Sequence, residues 1–499
     1  MARCRWPLLV AGLMALYGWQ MVWGEWVYDF WDYSAGIREL MRDLGAPRHP
    51  LLPLDAPHFS YSPYLVVLAW LGRWVGGAPI QILAGAGLFN LGLMLAGLRL
   101  FIAGTGCPHP RAATFYALLL WLLLWGPGAW YFSAFYHLGS LFSVLPYPSS
   151  FAFGLSWILL WQAQQKPTAV RAAAMGLMAG VVALTHPVTF MFLTAGLAGL
   201  VFQSGRFAAR NALQAAVVLG IAVAVASLWP YFPFWRMIFS DEGSAYMAAY
   251  PAMYTAVLAR TWPIWACLPL LWLGPGTFRC PAISVAIALL ALLYGYGWFS
   301  GHLVFGRTIS HIALLIQLRI AMRMAAWEQA VFQPGPSRAR RGISAAAIVG
   351  VLALGLIGSW SAILDRIAMV VHSSTPAYRA YESLAEFLGP GDVVICDTLA
   401  GNEIPTFGGK VVCPWFDQLF IPDMEERRRD LRRLYENGAG TDDWKEIAGK
   451  WGATCILVLK NDRFAERMAV VSGLGETVFE RDEYALVRID RERLEGGSQ

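Results

Sequence analysis

Two carboxylates three residues apart, Asp29 and Asp32, follow directly on the first long apolar run of the chain. That spacing puts both on one face of a helix. A carboxylate there could take a proton from a hydroxyl brought within hydrogen-bond reach, or simply cap the start of a helix. The residues suited to hold an anion stand elsewhere, at the ends of apolar runs: Arg307 after Gly306, His186 between Thr185 and Pro187, Arg260, His58 and His302. An arginine fork fits a carboxylate or phosphate in two-pronged fashion and suits that task better than a lysine. The plainer roles are snorkelling of Arg307 toward an interface and bonding of His186 to a carbonyl freed at a helix break.

The elements that must position these side chains are set by composition. Of 499 residues, 57% are hydrophobic and only 14% charged, where a soluble domain carries about a quarter charged residues. A single soluble globular enzyme is excluded, and the chain reads as a polytopic membrane protein, mainly α. Apolar runs near the 20 residues that cross a bilayer fall at 7–23, 80–102, 112–130, 149–162, 171–186, 188–203, 211–229, 262–278, 282–300, 308–326 and 342–363. This predicts a bundle of about eleven spans over residues 1–363, with a first external loop at 24–79. Arg3 and Arg5 precede the first span, and bulky Tyr17, Trp19, Trp23 and Trp26 occupy its far end, so a retained anchor is expected in place of a cleaved signal.

Lys/Arg bias fixes the expected orientation. With the N-terminus in the cytoplasm, 14 basic residues fall inside and 7 outside, and the tail from 364 to 499 lies outside. That tail is net −7 against +12 for residues 1–363. The basic excess therefore sits in membrane loops and gives no reason to expect nucleic acid as a partner; membrane lipids are the expected surroundings. The expected location is the inner (cytoplasmic) membrane, with a periplasmic C-terminal domain. Acids are absent between residues 56 and 240 and between 243 and 327, which disfavours ion-coupled transport.

Within the first loop, Ile37, Leu40, Met41 and Leu44 form a stripe opposite Arg38, Glu39, Arg42 and Asp43. The pattern predicts a helix lying on the membrane surface, and the apolar segment opened by Pro63 predicts a second surface or re-entrant helix. The order of these features resembles the GT-C superfamily of integral-membrane glycosyltransferases. It comprises the loop aspartate, Ala35-Gly36-Ile37-Arg38-Glu39-Leu40, the Pro/His-rich turn Pro57-His58-Phe59-Ser60-Tyr61-Ser62-Pro63-Tyr64, and Leu71-Gly72-Arg73. Thr185-His186-Pro187, Gly306-Arg307 and an external α/β tail fit as well. The superfamily takes sugar from a polyprenyl-phosphate carrier and includes aminoarabinose transferases and protein O-mannosyltransferases.

The resemblance implies a polyprenyl-phosphate-linked sugar as donor and an acceptor hydroxyl on a glycan, lipid or protein. It implies Asp29 as general base, with Asp32 second, and His58, His186, Arg260, His302 and Arg307 as candidates for the lipid phosphate. Where better-known branches carry an Asp-Glu pair, this chain has Asp29-Phe30-Trp31-Asp32. No cofactor is required by the sequence. A divalent ion would suit loop carboxylates, but no ligand spacing demands one. Sugar rings stack on aromatic faces, so the aromatic loop from Trp229 to Trp262 could cover a sugar or form an interfacial belt. A flippase or transporter of lipid-linked glycans and a non-catalytic envelope scaffold are the alternative classes.

In the tail, strand-like runs at 392–397, 410–413, 454–459, 476–479 and 484–488 alternate with helical patterns at 377–388, 424–437, 443–450 and 463–471. A small, partly parallel α/β sheet is expected. Cys396, Cys413 and Cys455 lie in those strands, where an oxidising exterior would permit one disulfide among them.

Overall fold

The computed structural model describes residues 5–205, 208–248, 250–272, 280–332, 336–436 and 439–495. The chain divides into two compact units, one made of Met1–Gly24 with Ala84–Ser373 and the other of Glu25–Leu83 with Ser374–Gln499. The first external loop, assigned from the sequence to the membrane portion, thus folds with the C-terminal segment.

The first unit is helical. Several helices open on proline, as in Pro110–Leu123, Pro148–Ala163, Pro187–Gln203 and Pro281–Ser300, because the first turn has no use for the missing N–H. Among the described residues, five helices are long and apolar enough to cross a membrane: Pro79–Gly104, Ala208–Ser227, Pro281–Ser300, Leu303–Phe332 and Arg338–Gly358. The protein is accordingly an integral membrane protein.

Three expected spans take a different form. The helix Pro110–Leu123 stops early, its freed Leu124 carbonyl accepting from Gln317 Nε2 at 2.8 Å and its Leu122 carbonyl from Leu138 N at 3.0 Å. The span expected at 262–278 is a helix, Val257–Cys267, running into a 3₁₀ turn over Leu268–Trp272; its last residues lie outside the described ones. The span expected at 342–363 breaks between Arg338–Gly358 and Trp360–Val371, where Gly358 lies so close to the Trp125 carbonyl that a Cβ would stand 2.1 Å from it. Irregular backbone at membrane depth is tolerated where protein satisfies it.

The helices pack closely where side chains are small. On Ala169–Thr185, Gly176 and Gly180 are four apart, and a Cβ on either would lie 2.6 Å from Cβ of Ile221 or Val225 on Ala208–Ser227. This is the small-residue packing that replaces a hydrophobic driving force in lipid.

The second unit carries a five-stranded sheet of β1 Val393–Ile395, β2 Lys410–Val411, β3 Cys455–Leu459, β4 Gly475–Glu480 and β5 Tyr484–Ile489. Their order is β2-β1-β3-β5-β4, with β1 parallel to β2 and β3, and β5 antiparallel to both neighbours. This is the partly parallel sheet expected. Alternation in β3 sends Ile456 and Val458 to a core with Trp444 and Ile447, and Cys455 and Leu457 to a core with Leu384 and Ile404. Cys396, Cys413 and Cys455 are buried free thiols.

The helix Asp29–Arg42 belongs to this unit. Phe30, Ile37 and Leu40 are fully buried, and Ala35 joins the core of Ile395 and Ile456. Arg38 donates to the Pro405 carbonyl at 3.0 Å. The helix expected to lie on a membrane surface is instead packed on most of its circumference.

Candidate active site

The residue before Asp29 shapes the carboxylate pair. Tyr28 has φ 53 and makes no side-chain cap, so Asp29 opens the helix and Asp32 closes its first turn, where the helix dipole favours negative charge. Neither aspartate is the N-cap. The turn is held by aromatic packing and backbone bonds within the unit. Trp26 stacks on Phe30 at 4.3 Å, and Trp31 meets Tyr378 at 5.1 Å and Phe407 at 6.1 Å. From the helix Ala400–Phe407, Asn402 donates to the Tyr28 carbonyl at 3.1 Å and Thr406 to the Trp31 carbonyl at 3.3 Å.

The two aspartates have different surroundings. Asp32 is 2% exposed, and its Oδ1 has no hydrogen-bond partner. Burial, and then the charge of Asp29, push its carboxyl well above the usual range. Asp29, by contrast, is half-buried.

A second acidic group surrounds Glu403, unremarked in the sequence. Burial, followed by the charges of Glu25 and Asp397, pushes the Glu403 carboxyl up to about 8. Glu25 is itself engaged, accepting from the Ala377 N–H at 2.8 Å. Among the described residues no three His, Cys, Asp or Glu side chains are placed to hold a metal ion.

His58 lies in the same unit, buried. Its Nδ1 is 2.6 Å from Ser60 Oγ and its Nε2 2.7 Å from Gln418 Oε1, and its ring meets His49 edge-on at 4.8 Å. Both nitrogens are engaged, and burial pulls its pKa down to about 4. Nearby, Lys410 Nζ donates to Glu39 at 2.7 Å and to the carbonyls of His49 and Pro50 at 2.8 and 3.0 Å. Residue type and spacing do not mark this fully bonded lysine.

In the first unit, two of the expected anion-binding residues meet. His186 separates two helices, ending Ala169–Thr185 and capping Pro187–Gln203, because the residue before a proline is forced out of helical geometry. Its Nδ1 lies 2.7 Å from Thr189 Oγ1, and its Nε2 lies 3.2 Å from Arg307 Nη2. The Thr189 N–H donates to Nδ1 at 3.2 Å, the bond by which the imidazole caps the following helix, and the Arg307 guanidinium can only donate. Arg307 also donates to Ser133 Oγ and lies 5.4 Å over the Tyr250 ring. Gly306 admits this arrangement, since a Cβ there would fall 2.6 Å from Met253 Cβ and from the Tyr254 ring.

Arg307 is half-buried, and among the described residues no carboxylate pairs with it. Its Nε has no partner, nor does Oγ1 of buried Thr185. Such a cation, with hydroxyl and imidazole beside it, can receive an oxyanion in a partly dehydrated site. Of the other two candidates, Arg260 lies 4.9 Å over the Trp130 ring, and the His302 ring meets Ser300 Oγ at 3.1 Å. Ser133 and Tyr250 had not been singled out as site residues. Tyr250 sits in the aromatic loop, whereas nothing in the sequence marks Ser133.

No protein-family model matches the chain, and no curated protein matches it. Among solved structures it is similar to the apo oligosaccharyltransferase of Archaeoglobus fulgidus, at 12% identity and a TM-score of 0.48, over 93% of this chain and 71% of that one. It is likewise similar to ArnT of Cupriavidus metallidurans, solved bound to undecaprenyl phosphate, at 13% identity and a TM-score of 0.48, over 97% of each chain.

Proposed function

We propose that this protein is a membrane glycosyltransferase that moves a sugar from a polyprenyl-phosphate carrier to an acceptor hydroxyl on the external face of the inner membrane. The observation that carries the reading is Arg307: a half-buried guanidinium with no carboxylate partner among the described residues, sharing its donors with Ser133 and His186. A cation left in that state at the end of an apolar helix asks for an anion from outside the chain. A lipid-borne phosphate supplies one at that depth.

In the reaction proposed, Asp29 accepts the proton of the acceptor hydroxyl as its oxygen attacks the anomeric carbon. The bond from that carbon to the phosphate oxygen breaks, its electron pair leaves with the lipid phosphate, and the sugar's configuration inverts. Arg307 takes up the charge that develops on the phosphate, where preorganised donors act most strongly. Ser133 and His186 hold the guanidinium in place.

The test uses purified full-length protein in lipid nanodiscs with a panel of polyprenyl-phosphate sugars, following release of the unglycosylated carrier. Asp29→Asn should lower turnover by roughly 10²-fold or more, the usual weight of a general base. Arg307→Ala should weaken donor affinity by about tenfold or more, one charge-assisted contact. Full turnover by Asp29→Asn removes the base from the mechanism. If no donor is consumed while carrier-linked glycan crosses the bilayer, the protein is a transporter. A scaffold would tolerate loss of Asp29 and Arg307 alike.

A further inference from the structure

One buried imidazole in the helical unit has no part in the roles assigned so far. His311 lies one helical turn after Arg307 and is fully buried. Its ring stacks on Phe192 at 5.1 Å and 22° and lies 5.7 Å from Phe153. A phenylalanine would fill that aromatic slot equally well without burying a polar nitrogen, which is costly unless it finds a partner. One nitrogen is accounted for. Ser310 Oγ donates to the Arg307 carbonyl at 2.8 Å, so across its 3.2 Å contact with His311 Nδ1 it can only accept. Nδ1 thus carries the proton of the neutral ring, and Nε2 presents a lone pair. That Nε2 has no hydrogen-bond partner. An ionisable group in that condition inside a membrane bundle points to a ligand.

The groups around the ring define what that ligand brings. Arg307 and His186 are its electrostatic neighbours. Phe192, Phe153 and, behind Phe153, Trp121 bring no titratable group. A lone pair beside a guanidinium cannot accept from a fully ionised phosphate, so a proton must stand between them, on the imidazole or on the phosphate. We propose that His311 is the proton-sharing member of the anion site, its Nε2 bridged through one proton to a nonbridging oxygen of the polyprenyl monophosphate left after sugar transfer. The proposal rests on the function proposed above and assigns His311 to the same site. A phosphodiester donor has no second ionisable oxygen, whereas the released monoester has one. His311 therefore distinguishes the product carrier from the donor.

The experiment measures binding of unglycosylated polyprenyl phosphate to the full-length protein in nanodiscs at pH 6, 7 and 8. It uses the wild type, His311→Phe and His311→Gln. Wild-type affinity should fall by on the order of tenfold from pH 6 to pH 8, as the shared proton is lost. His311→Phe preserves the aromatic stack and should bind several-fold more weakly at pH 6, with only the shallow pH dependence of the phosphate itself. His311→Gln keeps a polar group but cannot titrate, and should restore affinity without restoring the slope. If both variants reproduce the wild-type affinity and slope, His311 is structural and this inference fails while the transferase reading stands. If the wild type does not bind polyprenyl phosphate at any pH, both fail.

Discussion

Glu403 and His58 lie in one folded unit yet respond to pH with opposite signs, because each is buried in the form that carries no charge. The Glu403 carboxyl titrates near pH 8 in the folded protein, against about 4.3 in an unfolded chain. The folded state therefore holds a proton that the unfolded state has lost. The stability this group contributes is complete below about pH 4 and drains away as pH rises toward 8. His58 behaves the other way: with its folded pKa near 4, the unfolded chain binds the extra proton, and stability is lost as pH falls from about 6.5. Glu403→Gln removes the first effect alone. Its melting temperature should equal that of the wild type at pH 4 and exceed it increasingly toward pH 8. Parallel melting curves across that range would show that Glu403 is already ionised in the folded protein. Asp32→Asn should retain sugar transfer, because buried Asp32 is not the group proposed to take the proton; a collapse of turnover would return Asp32 to the candidate bases.

At the scale of elements, two glycines decide whether two helices can meet. A Cβ at Gly176 or Gly180 would enter the van der Waals envelope of Ile221 or Val225, and both obstacles are branched side chains with little freedom to yield. Gly180→Leu should therefore destabilise the first unit by about 1–3 kcal/mol, the usual cost of overpacking, read as a lower melting temperature and a lower yield of monodisperse protein. Gly220→Leu on the same neighbouring helix meets open space and should cost nothing measurable. Element starts of this kind were legible in the sequence, since prolines mark helix openings and short apolar runs mark the strands. What the sequence could not carry was partnership at long range. The stripe of the Asp29–Arg42 helix reads equally as a membrane-facing or a protein-facing surface, and only contacts with Tyr378 and Phe407, some 350 positions away, decide it. The site was legible to the same degree. Residue type and span-end position selected His186 and Arg307, but their 3.2 Å contact joins residues 121 apart, and Ser133 has no local signature. His311 had one, its spacing of four from Arg307.

For the whole molecule, the proposed chemistry requires the second unit and the span ends bearing His186 and Arg307 to face outside. The evidence for that side is the 14-to-7 bias of basic residues and the acids gathered in the predicted external segments. Native cysteines are poor reporters of it. Cys107 and Cys280, on loops predicted to be cytoplasmic, are buried, as are the other described cysteines. They would resist a thiol reagent from either face. Their burial becomes useful once a single exposed cysteine is introduced, because the background is low. Pro108 and Asp482 are both exposed, the first in a predicted inner loop and the second in the turn between β4 and β5. Asp482→Cys should react with a membrane-impermeant maleimide in intact cells, and Pro108→Cys only after permeabilisation. Both positions lie at turns far from the packed cores, so expression should match the wild type. The reversed pattern would put the aspartates and the tail in the cytoplasm, where a positive-inside chain would have to carry its acids on the wrong side, and external sugar transfer would fall with it.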